Sequence, residues 1–171
     1  MNELERWANF YLLMAAAAAT LIGLLFVVIT LGAERKVAAG AARISLYLTP
    51  TVIYFGSVLF LAALLTIPSH TRLTAALCVC LGGFLGLAYS ASFYVRRGLK
   101  QSYYDQRDLI LYAVFPFAAY GLVVAGGILF FHQPQLGLNL VAARMLLLLA
   151  LAIRNSWAIA IDVAAAPPGQ L

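Results

Sequence analysis

Long apolar runs separated by short polar breaks organise this 171-residue chain from end to end. Five of them, at roughly 8–32, 44–67, 73–95, 109–131 and 138–161, each pass the length of about 18 residues at which an apolar run reads as a membrane-spanning helix. The first opens beside Trp7, runs through an alanine tract at 15–19 and stops before Glu34-Arg35-Lys36. It is too long, and too poorly preceded by basic residues, for a secretory leader, so a retained first helix is expected. The second contains Thr49-Pro50-Thr51 and closes at Pro68, and the fourth contains Pro116 with Asp108 placed to cap its start. A proline inside a helix removes one N–H and clashes with the preceding turn, so Pro50 and Pro116 predict kinks and are candidate hinges or gates. The third run ends on Arg96-Arg97-Gly98, a cationic stop that suits the negative end of a helix. These elements predict an all-α, polytopic bundle in one domain over 1–166, followed by a short tail at 167–171.

Composition excludes a water-soluble core. Hydrophobic residues make up 64% of the chain and charged residues 10%, with a mean hydropathy of +0.96, whereas soluble domains carry about 25% charged residues. The net charge of +5 would point to nucleic acid in a soluble protein. Here the basic residues flank apolar runs, where they set orientation, and no nucleic-acid partner is expected. Arg35, Lys36, Arg43, Arg96, Arg97, Lys100 and Arg107 lie beyond the ends of runs one and three, against Arg6 and Arg72 on the opposite side. That imbalance predicts an outer N-terminus and an inner C-terminus, with His70 and His132 in outer connections. The bilayer is then the obligatory partner, and Arg96, Arg97 and Lys100 are placed to meet anionic lipid.

Small residues let helix backbones approach in lipid. The third run offers Cys78, Gly82, Gly86 and Ser90 at four-residue steps, the second Ser45, Thr49, Val52, Gly56 and Ala63, and the first Ala16, Thr20, Gly23 and Val27. These are expected packing faces, within one subunit or between subunits. The fifth run is different. At 100° per residue Arg144, Asn155 and Asp162 fall within about 20° of one another, with Arg154 about 80° to one side. A charge at the bilayer centre costs at least about 2.5–3.5 kcal/mol on insertion scales, so such a stripe faces a bundle interior or a water-filled path. Two placements are open: both arginines snorkel from a centred helix, each about 7–8 Å from its interface, or one is buried for function. A buried arginine needs a counter-charge, and Asp162, at the edge of the fifth run, is the one acidic residue the runs supply. The excess suggests an anion, whether permeating ion, lipid phosphate or carboxylate of another chain.

Other chemistry is thin. His70 and His132 are expected outside and Glu34, Asp105 and Asp108 inside, which separates the parts of a Ser/His/Asp or His/carboxylate site. Two loop histidines make a weak metal pair. No run contains a histidine to ligate haem, and there is no P-loop or dinucleotide fingerprint. Asp105 and Asp108 have a spacing that can share a metal, but capping and pairing with Lys100 and Arg107 account for them. Cys78 and Cys80 lie about 200° apart on a helix and cannot bridge each other. No catalytic residue, metal or cofactor is expected.

The opening Trp7-Ala8-Asn9-Phe10-Tyr11, followed by small residues and then Gly23-Leu24-Leu25-Phe26-Val27-Val28, resembles the first helix of small, uncharacterised bacterial integral membrane proteins. The resemblance covers about one span and implies a helical bundle in a bacterial inner membrane, with no active residues to carry over. The leading expectation is a homo-oligomeric channel or transport protein for a small ion or solute, an anion among the candidates, with Arg144, Arg154, Asn155 and Asp162 toward the pathway. The alternatives are a non-catalytic accessory subunit of a larger membrane complex and a protein that binds lipid or a hydrophobic ligand.

Overall fold

A computed structural model describes residues 3–34, 41–98 and 114–165. The expected cap Asp108, the pair Asp105 and Asp108, the basic positions Arg35, Lys36, Lys100 and Arg107, and the tail at 167–171 lie outside the described residues. What is described is wholly helical: α1 Glu3–Glu34, α2 Ala41–Leu65, α3 Arg72–Gly98, α4 Phe115–Leu129 and α5 Pro134–Ala164. Four of these, all but α4, are long and apolar enough to cross a membrane. The described part of α4 has 15 residues, about 22 Å.

Local chemistry fixes the ends. Thr71 Oγ1 accepts from the Thr74 N–H at 3.2 Å while the Thr71 N–H donates to Thr74 Oγ1 at 2.9 Å. This reciprocal capping starts α3 at Arg72, with a threonine in the place where a glutamate usually returns the bond. Helix α5 starts at Pro134, four residues before the expected boundary. The ring's preset φ suits a first helical position, and the missing N–H would have had no partner there. Between α4 and α5 the chain turns at once, with the Gln133 N–H donating to Leu129 O at 2.7 Å. Pro50 is buried inside α2. Pro116 is the second residue of α4 as described, and the residues before 114 lie outside the described part.

The buried positions follow one rule throughout. On α5 they run Leu138, Val141, Met145, Leu148, Ala152, Asn155 and Ile159, and on α3 Ala76, Val79, Gly83, Gly86 and Ser90. Steps of three and four alternate, an average of about 3.5 residues, which is the seam of helices that coil around each other left-handedly. Helix α5 is central: it packs on α4, α2 and α1, while α3 packs chiefly on α4. Half of its candidate span is buried, against 17% for α1 at the periphery.

The outer surface is apolar, with Leu12, Leu24, Phe60, Leu81, Phe84, Leu85 and Trp157 more than half exposed. The interior in turn holds Thr51, Arg144 and Asn155. A soluble protein distributes its residues the other way.

Candidate functional site

A second buried column on α5, Gly137, Arg144 and Leu151 at seven-residue steps, flanks the main seam. At Gly137 the backbones of α4 and α5 nearly touch: a Cβ there would stand 2.7 Å from Gly126 O and 2.9 Å from the Phe130 backbone. One heptad further along the same column the side chain is Arg144, only 2% exposed. Its Nη1 donates to the Ser57 carbonyl oxygen of α2 at 3.2 Å. Its Cζ stands 5.2 Å from the centroid of the Tyr120 ring of α4. That ring is in turn fixed from behind by Gly86 of α3, where any Cβ would overlap its edge. Three helices therefore meet at one guanidinium, and the fourth, α3, braces the tyrosine.

The environment of that charge is incomplete. Tyr120 is 1% exposed; its phenol interacts with the Arg144 guanidinium, but neither its hydroxyl nor Arg144 Nε, both buried, makes a hydrogen bond of full geometry. A hydrogen bond to a charged group contributes about 1.5–3 kcal/mol and a desolvated cation–π contact about 2 kcal/mol, while an unmet buried donor costs about 1–3 kcal/mol. No described carboxylate lies at the level of Arg144. Asp162 is 18 residues further along α5, about 27 Å. Glu3, Glu5 and Glu34 lie at the two ends of α1.

Depth follows from the helix rise. Arg144 is 10 residues from the start of α5, Ser57 8 from the end of α2 and Tyr120 9 from the end of α4. These distances are about 15, 12 and 14 Å from one end of the bundle. Between this level and that end of the bundle a small apolar void of about 10 Å³ is lined by Leu65, Ala75, Val79, Gly126, Gly127, Phe130, Leu138 and Val141. Beyond Leu65, at the end of the bundle, lies a cleft of about 190 Å³ walled by Leu4, Glu5, Ala8, Thr66, Ile67, Pro68 and His70.

The other candidates from the sequence fall in different places. Asn155 is buried and engaged with its surroundings, Asp162 is half-buried and engaged, and Arg154 is on the outward side of α5 with Ile153 and Trp157. Gly86 and Ser90 are on the α3 seam, Cys78 is half-buried, and nothing comes within 4 Å of a Cβ at Gly82. The close approaches of α3 to α4 are Cys80 to Gly127, Gly83 to Val124 and Gly86 to Tyr120. On α1 the residues Ala16, Thr20, Gly23 and Val27 are exposed, and its buried face is instead Leu4, Tyr11, Ala18 and Leu25. His70 Nδ1 is 3.1 Å from Thr74 Oγ1, and His132 is exposed in the turn before α5. Among the described residues no three His, Cys, Asp or Glu side chains are grouped to hold a metal.

Sequence reasoning did not identify Ser57 and Tyr120. Ser57 contributes a main-chain oxygen, which carries no residue-type signal. Tyr120 had one: it is the single side chain of α4 that bears a polar atom. Comparison with protein-family models, with curated proteins and with solved structures finds no match to this chain.

Proposed function

We propose that the chain is a multi-pass protein of a bacterial inner membrane that crosses the bilayer five times, N-terminus outside and C-terminus inside, and conducts or translocates a small solute, an anion by preference, along the interior beside α5. The observation that carries this reading is Arg144: a guanidinium inside the bundle, with no described carboxylate at its level. With the outer boundary placed at Pro134, Arg144 lies about 15 Å deep in a hydrocarbon layer of about 30 Å. Arg154 then lies about 30 Å from that boundary, at the inner interface where it is solvated, with Trp157 beside it as an anchor. Asp162 falls beyond the layer. The same placement puts Leu65 and Arg72 at the outer level and the C-terminal ends of α1 and α3 at the inner one. A charge held at the midplane is costly and marks a solute path more often than a structural role.

The test is flux in liposomes. Wild-type protein should carry chloride or nitrate down a gradient, and Arg144→Gln should reduce that flux at least tenfold while keeping the helical content of the wild type. No flux in the wild type would remove the reading.

A second reading rests on α1. Its exposed stripe of Ala16, Thr20, Gly23 and Val27 is suited to close approach by another helix. A second copy would make a homo-oligomer, and a larger complex would make this chain an accessory subunit. A stoichiometric partner that co-purifies, together with absent flux, would favour the accessory role.

A further inference from the structure

We propose that Arg144 and Tyr120 form a binding site for one halide-sized monovalent anion, accepted by the Arg144 Nε–H and the Tyr120 O–H; this rests on the reading of the bundle interior as a solute path. Three observations support it. First, the donors outnumber the acceptors. Arg144 Nη1 is committed to Ser57 O, whereas Arg144 Nε and the Tyr120 hydroxyl are both buried with no hydrogen bond of full geometry, on side chains 2% and 1% exposed. A halide accepts from several donors at once and has no directional lone pairs to satisfy, so it suits a guanidinium edge beside a phenol.

Second, the charge balance is that of a monovalent ion. Arg144 supplies one positive charge, always protonated, and the described carboxylates lie at other levels. One negative charge neutralises the site. Phosphate or sulfate would leave a net negative charge in a low dielectric and bring several oxygens that need donors, where the site has two to give.

Third, the packing beside the site is close and apolar. The void nearest to it on the side of the cleft is lined by apolar side chains and glycine, with neither Arg144 nor Tyr120 among them, and its volume of about 10 Å³ is about what one water-sized body needs. Leu65 lines both this void and the cleft that opens at the end of the bundle. A hydrated oxyanion does not pass such a place without the helices parting. A dehydrated halide is larger than a water molecule but much smaller than a hydrated oxyanion, so it needs less movement of the side chains here, and the Arg144 and Tyr120 donors replace part of its hydration.

The experiment titrates purified protein in detergent with sodium bromide, sodium chloride and sodium sulfate at constant ionic strength, balanced with gluconate, and reads the melting temperature. Bromide and chloride should raise it saturably and sulfate should not. Tyr120→Phe keeps the ring against Gly86 and removes one donor, so it should fold and weaken the apparent halide affinity about tenfold or more. Arg144→Gln should abolish the shift, and if that variant does not fold, Tyr120→Phe decides alone. An anomalous bromide peak within hydrogen-bond reach of both side chains in a crystal would locate the ion. The proposal is overturned by an equal shift with sulfate, by an unaltered shift in Tyr120→Phe, or by no saturable shift, the result expected if the two donors are satisfied within the protein. Saturable halide binding without liposome flux keeps the site and removes the transport reading. Flux that favours sulfate does the reverse.

Discussion

Arg144 is held by groups of different kinds, and each predicts a different response to substitution. The bond from α2 comes from the Ser57 carbonyl, while the Ser57 hydroxyl donates to Tyr54 O at 2.9 Å within its own helix. Ser57→Ala therefore removes a local bond and leaves the guanidinium's acceptor in place. Its effect on thermal unfolding should stay within about 0.5 kcal/mol, and halide binding should be unchanged. Arg144→Lys should behave otherwise. An ammonium keeps the charge but loses the planar fork that lies over Tyr120 and reaches Ser57 O in one geometry, so at least tenfold weaker halide binding is expected by the same titration. The polar stripe on α5 was legible from residue spacing alone, because 100° per residue is a property of the backbone. Which arginine is interior was not. A centred α5 allowed both to snorkel, and the choice is made by α2 and α4, which cover the Arg144 side and leave the Arg154 side outward.

At the scale of the helix, the spacing of the seams decides which glycines matter. Four-residue steps drift about 40° each, so Cys78 to Ser90 turns through about 120° and cannot stay on one contact line. Alternate steps of three and four hold the line, and the α3 seam follows them through Val79, Gly83 and Gly86. Five helices were legible in the apolar runs because lipid or protein must cover every turn of such a run. The contact lines were less legible, since small residues occur both on and off them. Gly82 and Gly86 make the distinction measurable. Alanine favours a helix over glycine by about 1 kcal/mol at either site. At Gly82 nothing opposes that gain, and Gly82→Ala should raise the melting temperature in detergent slightly. At Gly86 the new methyl meets the Tyr120 ring, and overpacking of this kind costs about 1–3 kcal/mol. Gly86→Ala should thus lower the melting temperature and, by shifting Tyr120, weaken halide binding as well. Equal effects at the two positions would mean that α3 packs along a different line.

For the whole molecule, the proposed direction of the bundle rests on how its ends are charged. The connection at 66–71 and the turn at 130–133 lie at the end of the bundle toward which Arg144 is nearer, and the chain beyond α5 leaves from the opposite end. Short connections rich in Lys and Arg stay in the cytoplasm, and the sequence concentrates them beyond α1 and α3. Under the proposed orientation the cleft beside His70 and Glu5 would open outward, and a solute entering there would meet Leu65 before Arg144. Single cysteines test this directly. With Cys78 and Cys80 replaced by serine, Ser69→Cys and His132→Cys should react with a membrane-impermeant maleimide added to intact cells, and Ala165→Cys only after permeabilisation. The reverse pattern would invert the bundle, keep Arg144 at the same depth and turn the cleft into an inner mouth. Disagreement between Ser69→Cys and His132→Cys would do more. Those two positions are separated by α3 and α4, so opposite labelling means that the chain between them crosses the bilayer an odd number of times. The five-span arrangement would then fail, and with it the midplane depth of Arg144.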